Sequence, residues 1–173
     1  MSDRLAGDTG LVQFSERLAG SAAFTGLFRE GMDLVEETAA YLDGDGRTEA
    51  KTLERSVSLT YATESMRLTT RLMQLASWLL LHRAVKEGEM TLVQANREKT
   101  KVKLTAADPG PDDMITKLPE QLQALIARSM NLQARVRRLD MTMHGQATER
   151  APIGNPLVPQ LNRLKEAFER QTG

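Results

Sequence analysis

The sequence predicts an all-α fold: an antiparallel three-helix bundle with one very long central helix, plus short connecting and C-terminal helices. Three features point there. Residues from Arg47 to Glu87 include no Gly or Pro, so nothing local interrupts a helix that would be a rod of roughly 60 Å. Aromatic residues make up only 4% of the 173 residues while Leu, Met and Ala abound, the usual filling of helical cores. Apolar residues also recur at three- and four-residue spacing in the segments on either side.

Residues 1–20 mix Gly7, Gly10 and Gly20 with charge and hold no sustained period, which predicts a flexible N-terminal arm. Helix one is expected after Ser21, a suitable N-cap, with Phe24, Leu27, Phe28, Leu34, Val35 and Leu42 near one face. Asp43-Gly44-Asp45-Gly46 reads as a tight turn, so the next helix, capped by Thr48, must fold back on the first. On this spine Tyr61, Leu68, Leu72, Leu75 and Leu79 share one side. Leu59, Met66, Met73 and Leu80 lie nearly opposite, and Ala62, Thr69 and Ala76 bridge the two sets. The apolar arc is about 200° wide against roughly 100° for an ordinary surface helix, leaving Thr60, Thr63, Glu64, Arg67, Arg71 and Gln74 as its one polar strip.

Gly88 should end the spine, and Thr91 with Gln94 should open a short helix through about Lys99 in capping-box fashion. Residues 101–111 read as a connecting loop. Pro119 suits the first turn of helix three, where Leu118, Leu122, Leu125, Leu132, Val136, Leu139 and Met143 form a coiled-coil-like seam with Ser129 in its gap. Arg135, Arg137, Arg138 and His144 gather near its end, favourable for the helix dipole, before Gly145 stops it. The bundle domain is thus residues 21–145. Residues 146–173 form a flexible linker, with Pro152, Gly154, Pro156 and Pro159, and a C-terminal amphipathic segment carrying Leu161, Leu164 and Phe168.

Composition removes several function classes. Net charge is zero with a pI near 6.8, so no global field draws the chain to nucleic acid or to a membrane surface. The longest apolar run, Trp78 to Leu81, is far too short to span a bilayer. A soluble, cytoplasmic protein is expected. Without cysteine there is no disulfide, thiol nucleophile or thiolate metal site. His82 and His144, the only histidines, supply no metal set, and His82 reads as a packed histidine beside the Leu-rich face. A calcium-loop register that puts Gly46 sixth has Tyr41 first and Thr52 twelfth, so it lacks its key carboxylates. Neither a glycine-rich phosphate loop nor a nucleophile elbow is present. The expectation is a non-enzyme with no catalytic residues, no cofactor and no metal.

Helices one and three, at roughly 33 and 39 Å, are too short to cover the spine, which predicts a homodimer through the uncovered apolar face. Met66, Met73 and Met90 read as gap-filling core residues before they read as a docking groove. The candidate partner residues are Arg67, Arg71, Met73, Trp78, Leu80, Leu161, Leu164 and Phe168. For Arg67 and Arg71 a structural role bonded to nearby acids stands beside the partner role.

Two long strings make the sequence specific. They are Phe28-Arg29-Glu30-Gly31-Met32 with Leu34-Val35-Glu36-Glu37-Thr38-Ala39-Ala40-Tyr41-Leu42-Asp43-Gly44, and Tyr61-Ala62-Thr63-Glu64-Ser65-Met66-Arg67-Leu68-Thr69-Thr70-Arg71-Leu72-Met73-Gln74-Leu75-Ala76-Ser77-Trp78-Leu79-Leu80. Together with Glu87-Gly88-Glu89-Met90 they closely resemble the regulator of CtrA degradation family, RcdA, densely over residues 21–104 and loosely through the third helix. The resemblance implies a dimeric three-helix bundle that serves as an adaptor for the protease ClpXP in alphaproteobacterial cell-cycle control. It would join a protease primed by CpdR to cargo such as CtrA or to a further adaptor, PopA, with recruitment to a cell pole. The Gly-rich arm and residues 105–117 depart from the family pattern and leave the cargo open. The alternative is a helical phosphotransfer or signalling-dimer domain using His82, although that histidine lacks the nearby Lys and Gly such domains present. A purely structural bundle is a third option.

Overall fold

The computed structural model describes residues 5–101 and 110–149, with side chains over 20–99 and 110–142. Among these residues there are six helices and no strand: α1 Leu5–Asp43, α2 Asp45–Ala50, α3 Arg55–Lys86, α4 Leu92–Lys101, α5 Asp112–Ile115 and α6 Glu120–Glu149. The all-α expectation holds. The chain divides into two compact units, Met1–Ala134 and Arg135–Gly173. Leu161, Leu164 and Phe168 lie outside the described residues.

α1 starts at Leu5, well before the expected cap at Ser21. Ser21 is an interior helical residue whose carbonyl accepts the Thr25 hydroxyl at 3.0 Å. The buried stripe of α1 is Leu27, Gly31, Leu34, Thr38 and Tyr41, a spacing of four and three that aims one face inward. Gly31 is needed there: a methyl at its Cα would run into Leu79 Cδ1, with Leu132 Cδ2 also close at 3.6 Å.

The spine differs from the expected single helix over 47–87. α2 ends at Ala50, residues 51–54 turn, and α3 begins at Arg55. Gly44, not Thr48, occupies the N-cap of α2. The cause of the break is tertiary. Tyr41 Oη donates to Glu49 Oε2 at 2.8 Å, and Gly46 is so close that an added methyl would meet Tyr61 Oη at 2.7 Å and the Tyr41 carbonyl at 2.8 Å. α2 is therefore folded tightly over the end of α1, and α3 needs a new direction to run back along it. Thr52 Oγ1 closes α2 by donating to the Glu49 carbonyl at 2.8 Å, and Glu54 leaves helical geometry with ψ 149°. With 39 residues α1, not the 32-residue α3, is the longest helix.

The other helix ends obey local chemistry. Gly88 adopts φ 76°, the left-handed conformation that terminates helices, and ends α3 as expected. Thr91 N–H donates to Gln94 Oε1 at 2.9 Å while Gln94 N–H donates to Thr91 Oγ1 at 3.2 Å. That reciprocal pair is the expected capping box, and α4 begins there. Pro119 precedes α6 and its carbonyl accepts Gln123 N–H at 3.1 Å. Gly145 does not stop α6, which continues to Glu149; an interior glycine costs only about 1 kcal/mol relative to alanine.

Four contacts fix the helix directions. Tyr41 and Glu49 tie the end of α1 to the approach to α3, and Lys86 Nζ at the other end of α3 donates to Thr25 Oγ1 at 3.1 Å, so α1 and α3 are antiparallel. Arg128 Nη1 on α6 pairs with Glu37 Oε2 at 2.6 Å, and Leu132 nears Gly31, making α6 antiparallel to α1. α3 and α6 consequently run the same way, and the connection through α4 and α5 carries the chain back along the bundle. Its return end is anchored where Gly110 N–H donates to Glu64 Oε1 at 3.1 Å. The expected α6 seam is buried at Leu118, Leu122, Leu125, Ser129, Leu132 and Val136, with Ile126 and Gln133 beside it.

Candidate docking face on α3

The two faces of α3 invert the polarity that its sequence suggests. Its buried positions include Val57, Glu64, Arg71 and Trp78, a run at seven-residue spacing, alongside Leu68, Leu72, Leu75, Leu79 and His82. Glu64 and Arg71, from the polar strip, are 2% and 1% exposed. Each has a neighbour that makes burial tolerable. Glu64 Oε1 accepts Arg67 Nη1 at 2.6 Å and the Gly110 amide, while Arg71 Nη1 donates to Ser129 Oγ at 2.9 Å, which itself donates to the Ile126 carbonyl at 2.7 Å. A buried charge without such partners would be strongly unfavourable.

The outward positions are apolar. Leu59, Met66, Met73 and Leu80, also seven apart, are 66%, 71%, 66% and 52% exposed. Three heptads span about 32 Å of helix. Between them lie the small residues Ala62, Thr63, Thr69 and Thr70, exposed, and Ala76 and Ser77, half-buried. From Ser56 to Leu80 no exposed residue of α3 is charged. The hydroxyls are self-satisfied: Thr60, Thr63, Thr69 and Ser77 donate to the carbonyls of Ser56, Leu59, Ser65 and Met73 at 3.2, 3.0, 2.8 and 2.8 Å. Each bond runs back one turn and turns a polar group inward to the backbone. An uncharged face of this length, with four of its hydroxyls already bonded to the backbone, is chemically suited to another apolar surface rather than to water.

The expected partner residues therefore separate. Met73 and Leu80 are on the exposed face. Arg67, its side chain 34% exposed, lies at the edge with Glu64. Arg71 and Trp78 lie in the interior, where the structural reading of Arg71 applies; a heptad shared with Val57 places both there. Met66 and Met73 both correct the gap-filling expectation, since they stand in solvent rather than in the core, while Met90 is half-buried. Leu59 and Met66 join Met73 and Leu80 on the exposed face; the candidate set read from the sequence omits both, although their seven-residue register is visible there.

His82 is buried, its ring 4.0 Å from Trp78. Phe24 packs on Phe28 and Trp78, both pairs at 6.3 Å, and Arg83 and Lys86 lie over the Phe28 and Phe24 rings at 5.0 and 5.6 Å. These contacts join α1 to the end of α3 through a mixture of apolar area and cation–π attraction. At the opposite end burial pushes the Tyr41 hydroxyl well above the ordinary tyrosine range, reinforced by its bond to Glu49. Burial raises Tyr61 as well, with the Glu49 charge adding to the shift. Both tyrosines stay neutral at the α1–α3 junction, and Tyr41 is the donor to Glu49. Among the described residues no group of three or more His, Cys, Asp or Glu could hold a metal ion, and no helix is long and apolar enough to cross a membrane.

The model of the family described as protein of unknown function DUF1465 matches residues 15–168. Among solved structures, RcdA from Caulobacter crescentus CB15 is 52% identical, covers 69% of this chain and 89% of its own, and superposes with a TM-score of 0.58. No curated protein sequence matches. With a family model spanning most of its length and more than half of the aligned residues shared with that solved structure, the chain belongs to the RcdA family, whose domain is DUF1465.

Proposed function

We propose that this protein is a non-enzymatic adaptor in regulated proteolysis that dimerises through α3 and helps CpdR-primed ClpXP engage its cargo. Membership of the RcdA family supports the role in regulated proteolysis. The observation that carries the docking reading is the exposed, uncharged stripe Leu59–Met66–Met73–Leu80. Small residues beside each large one let a second helix approach closely, and a stripe repeating every seven residues drifts by about 20° per heptad, so a partner helix would track it in a shallow left-handed supercoil. Two copies of the stripe satisfy each other without burying a charge. PopA and CtrA are the proposed further adaptor and cargo, and recruitment to a cell pole belongs to the same reading. Residues 151–173, with Leu161, Leu164 and Phe168, are the proposed cargo-contacting segment.

The phosphotransfer alternative requires an accessible histidine, and burial of His82 against Trp78 disfavours it. A reconstituted degradation assay tests the adaptor reading. ClpXP, CpdR and cargo should turn over cargo faster with this protein than without it, and the protein alone should show no hydrolysis or phosphotransfer. Deleting 151–173 should abolish the stimulation while leaving dimerisation intact. Unchanged cargo turnover with every combination of CpdR and PopA would refute the adaptor role.

A further inference from the structure

The exposed stripe of α3 carries sulfur at its centre. Met66 and Met73 are one heptad apart, about 10.5 Å along the helix, with their side chains largely in solvent. The sequence has nine methionines and no cysteine, so thioethers are its only oxidisable sulfurs. Met32, Met90, Met114 and Met130 are half-buried, and Met141 is exposed but belongs to α6. Among the described methionines, the two most exposed on α3 thus lie on the face through which two copies would pair.

We propose that Met66 and Met73 form a peroxide-oxidisable modification site whose sulfoxides close the α3 face to a second copy, a regulation that rests on dimerisation through α3. In the step, a hydroperoxide transfers its terminal oxygen to Sδ. An S–O bond forms as the O–O bond breaks, the thioether is oxidised by two electrons, and the hydroperoxide leaves reduced as an alcohol, or as water from hydrogen peroxide. A dithiol-dependent methionine sulfoxide reductase reverses the step, releasing water and leaving a disulfide on the reductant.

The stripe's own chemistry makes the sulfoxide disruptive. A sulfoxide oxygen is a strong acceptor and needs a donor when removed from water. Of the neighbouring hydroxyls, those of Thr63, Thr69 and Ser77 already donate to backbone carbonyls. From Ser56 to Leu80 no exposed residue of α3 carries a charge that could replace them. In a seam made from two such faces those three hydroxyls are not free to donate to the new oxygens, and a two-fold dimer carries each oxygen twice.

The test uses the full chain treated with millimolar hydrogen peroxide, mapped by peptide mass spectrometry and weighed by sedimentation equilibrium. Met66 and Met73 should gain one oxygen each before the half-buried methionines do, and self-association should weaken by about tenfold or more while helicity stays constant. Methionine sulfoxide reductases A and B with dithiothreitol should restore the dimer. Met66→Leu with Met73→Leu should dimerise and ignore peroxide; Met141→Leu should remain sensitive. A dimer that persists with Met66 and Met73 fully oxidised overturns this inference alone, as does equal peroxide sensitivity of the double leucine variant. A chain that is monomeric before oxidation overturns the dimer reading and this inference together.

Discussion

Arg71 and Met73, two residues apart on α3, face opposite ways: the guanidinium is enclosed and bonded to Ser129 on α6, while the thioether stands in solvent. Removing the guanidinium leaves both a cavity and a buried serine without its donor. Arg71→Ala should lower stability by about 3 kcal/mol or more, whereas Arg71→Met, which keeps the volume and leaves no charge, should cost about 1 kcal/mol. Urea titrations of both variants decide it. Equal losses would mean that shape is irrelevant at this position.

Charge on the opposite face should act on assembly and spare the fold. Met73→Asp and Leu80→Lys place a charge where the single chain already meets water, so each should melt within a few degrees of the parent. Sedimentation at micromolar concentration should nevertheless find them monomeric, because pairing would bury that charge. A dimer unaffected by Met73→Asp would move the interface off α3.

Gly31 sits against Leu79, which is fully buried and has little room to move. Gly31→Ala should cost about 1–3 kcal/mol through overpacking, despite the gain in helix propensity. Leu79→Ala should cost about 3 kcal/mol by itself. The double variant should lose less than the sum, since each change relieves the other. Simple additivity in thermal melts would show that the two residues do not press on each other.

Alkaline pH should loosen the α1–α3 junction. Tyr41 holds its proton in the folded state beyond the ordinary value of 10.0, because burial and then Glu49 disfavour the phenolate. An acid whose folded affinity for its proton is raised stabilises the fold below its unfolded pKa and loses that contribution as pH climbs above it. Stability should hold up to about pH 10 and decline beyond it. Tyr41→Phe should be weaker near neutrality by about 1 kcal/mol for the lost hydrogen bond, with a shallower alkaline decline. Some decline should remain from Tyr61, whose shift has the same sign.

Local signals in the sequence are reliable where one or two neighbouring residues decide the outcome. Thr91 and Gln94 announce their capping box, Gly88 its left-handed stop, and the Leu118–Val136 spacing its buried seam, because each is settled within a turn or two of helix. The break at residues 51–54 has no Gly or Pro to announce it; it comes from Tyr41, Glu49, Gly46 and Tyr61 meeting across the chain. The same limit hides the inward turn of Glu64 and Arg71. An apolar arc on both sides of a helix leaves its orientation undetermined, and here distant Gly110 and Ser129 supply partners for the charged strip. That leaves Leu59, Met66, Met73 and Leu80 outside, and the exposed apolar face becomes visible only once the inside is known.

The shared direction of α3 and α6 has a consequence for how the chain is born. α1, α2 and α3 are consecutive, and their contacts close short loops, so this hairpin should form while the ribosome is still making the C-terminal half. Ser129 lies 58 residues beyond Arg71, and α6 arrives only after the crossover has been made. Until then the inner side of the hairpin is an unfinished surface, and the arginine and glutamate that later sit in the interior would keep it hydrated. The charges that look misplaced in the finished bundle would thus act first as protection for a half-made one. A ribosome-stalled chain ending near residue 100 should remain soluble, and Arg71→Leu with Glu64→Leu should make that same fragment clump.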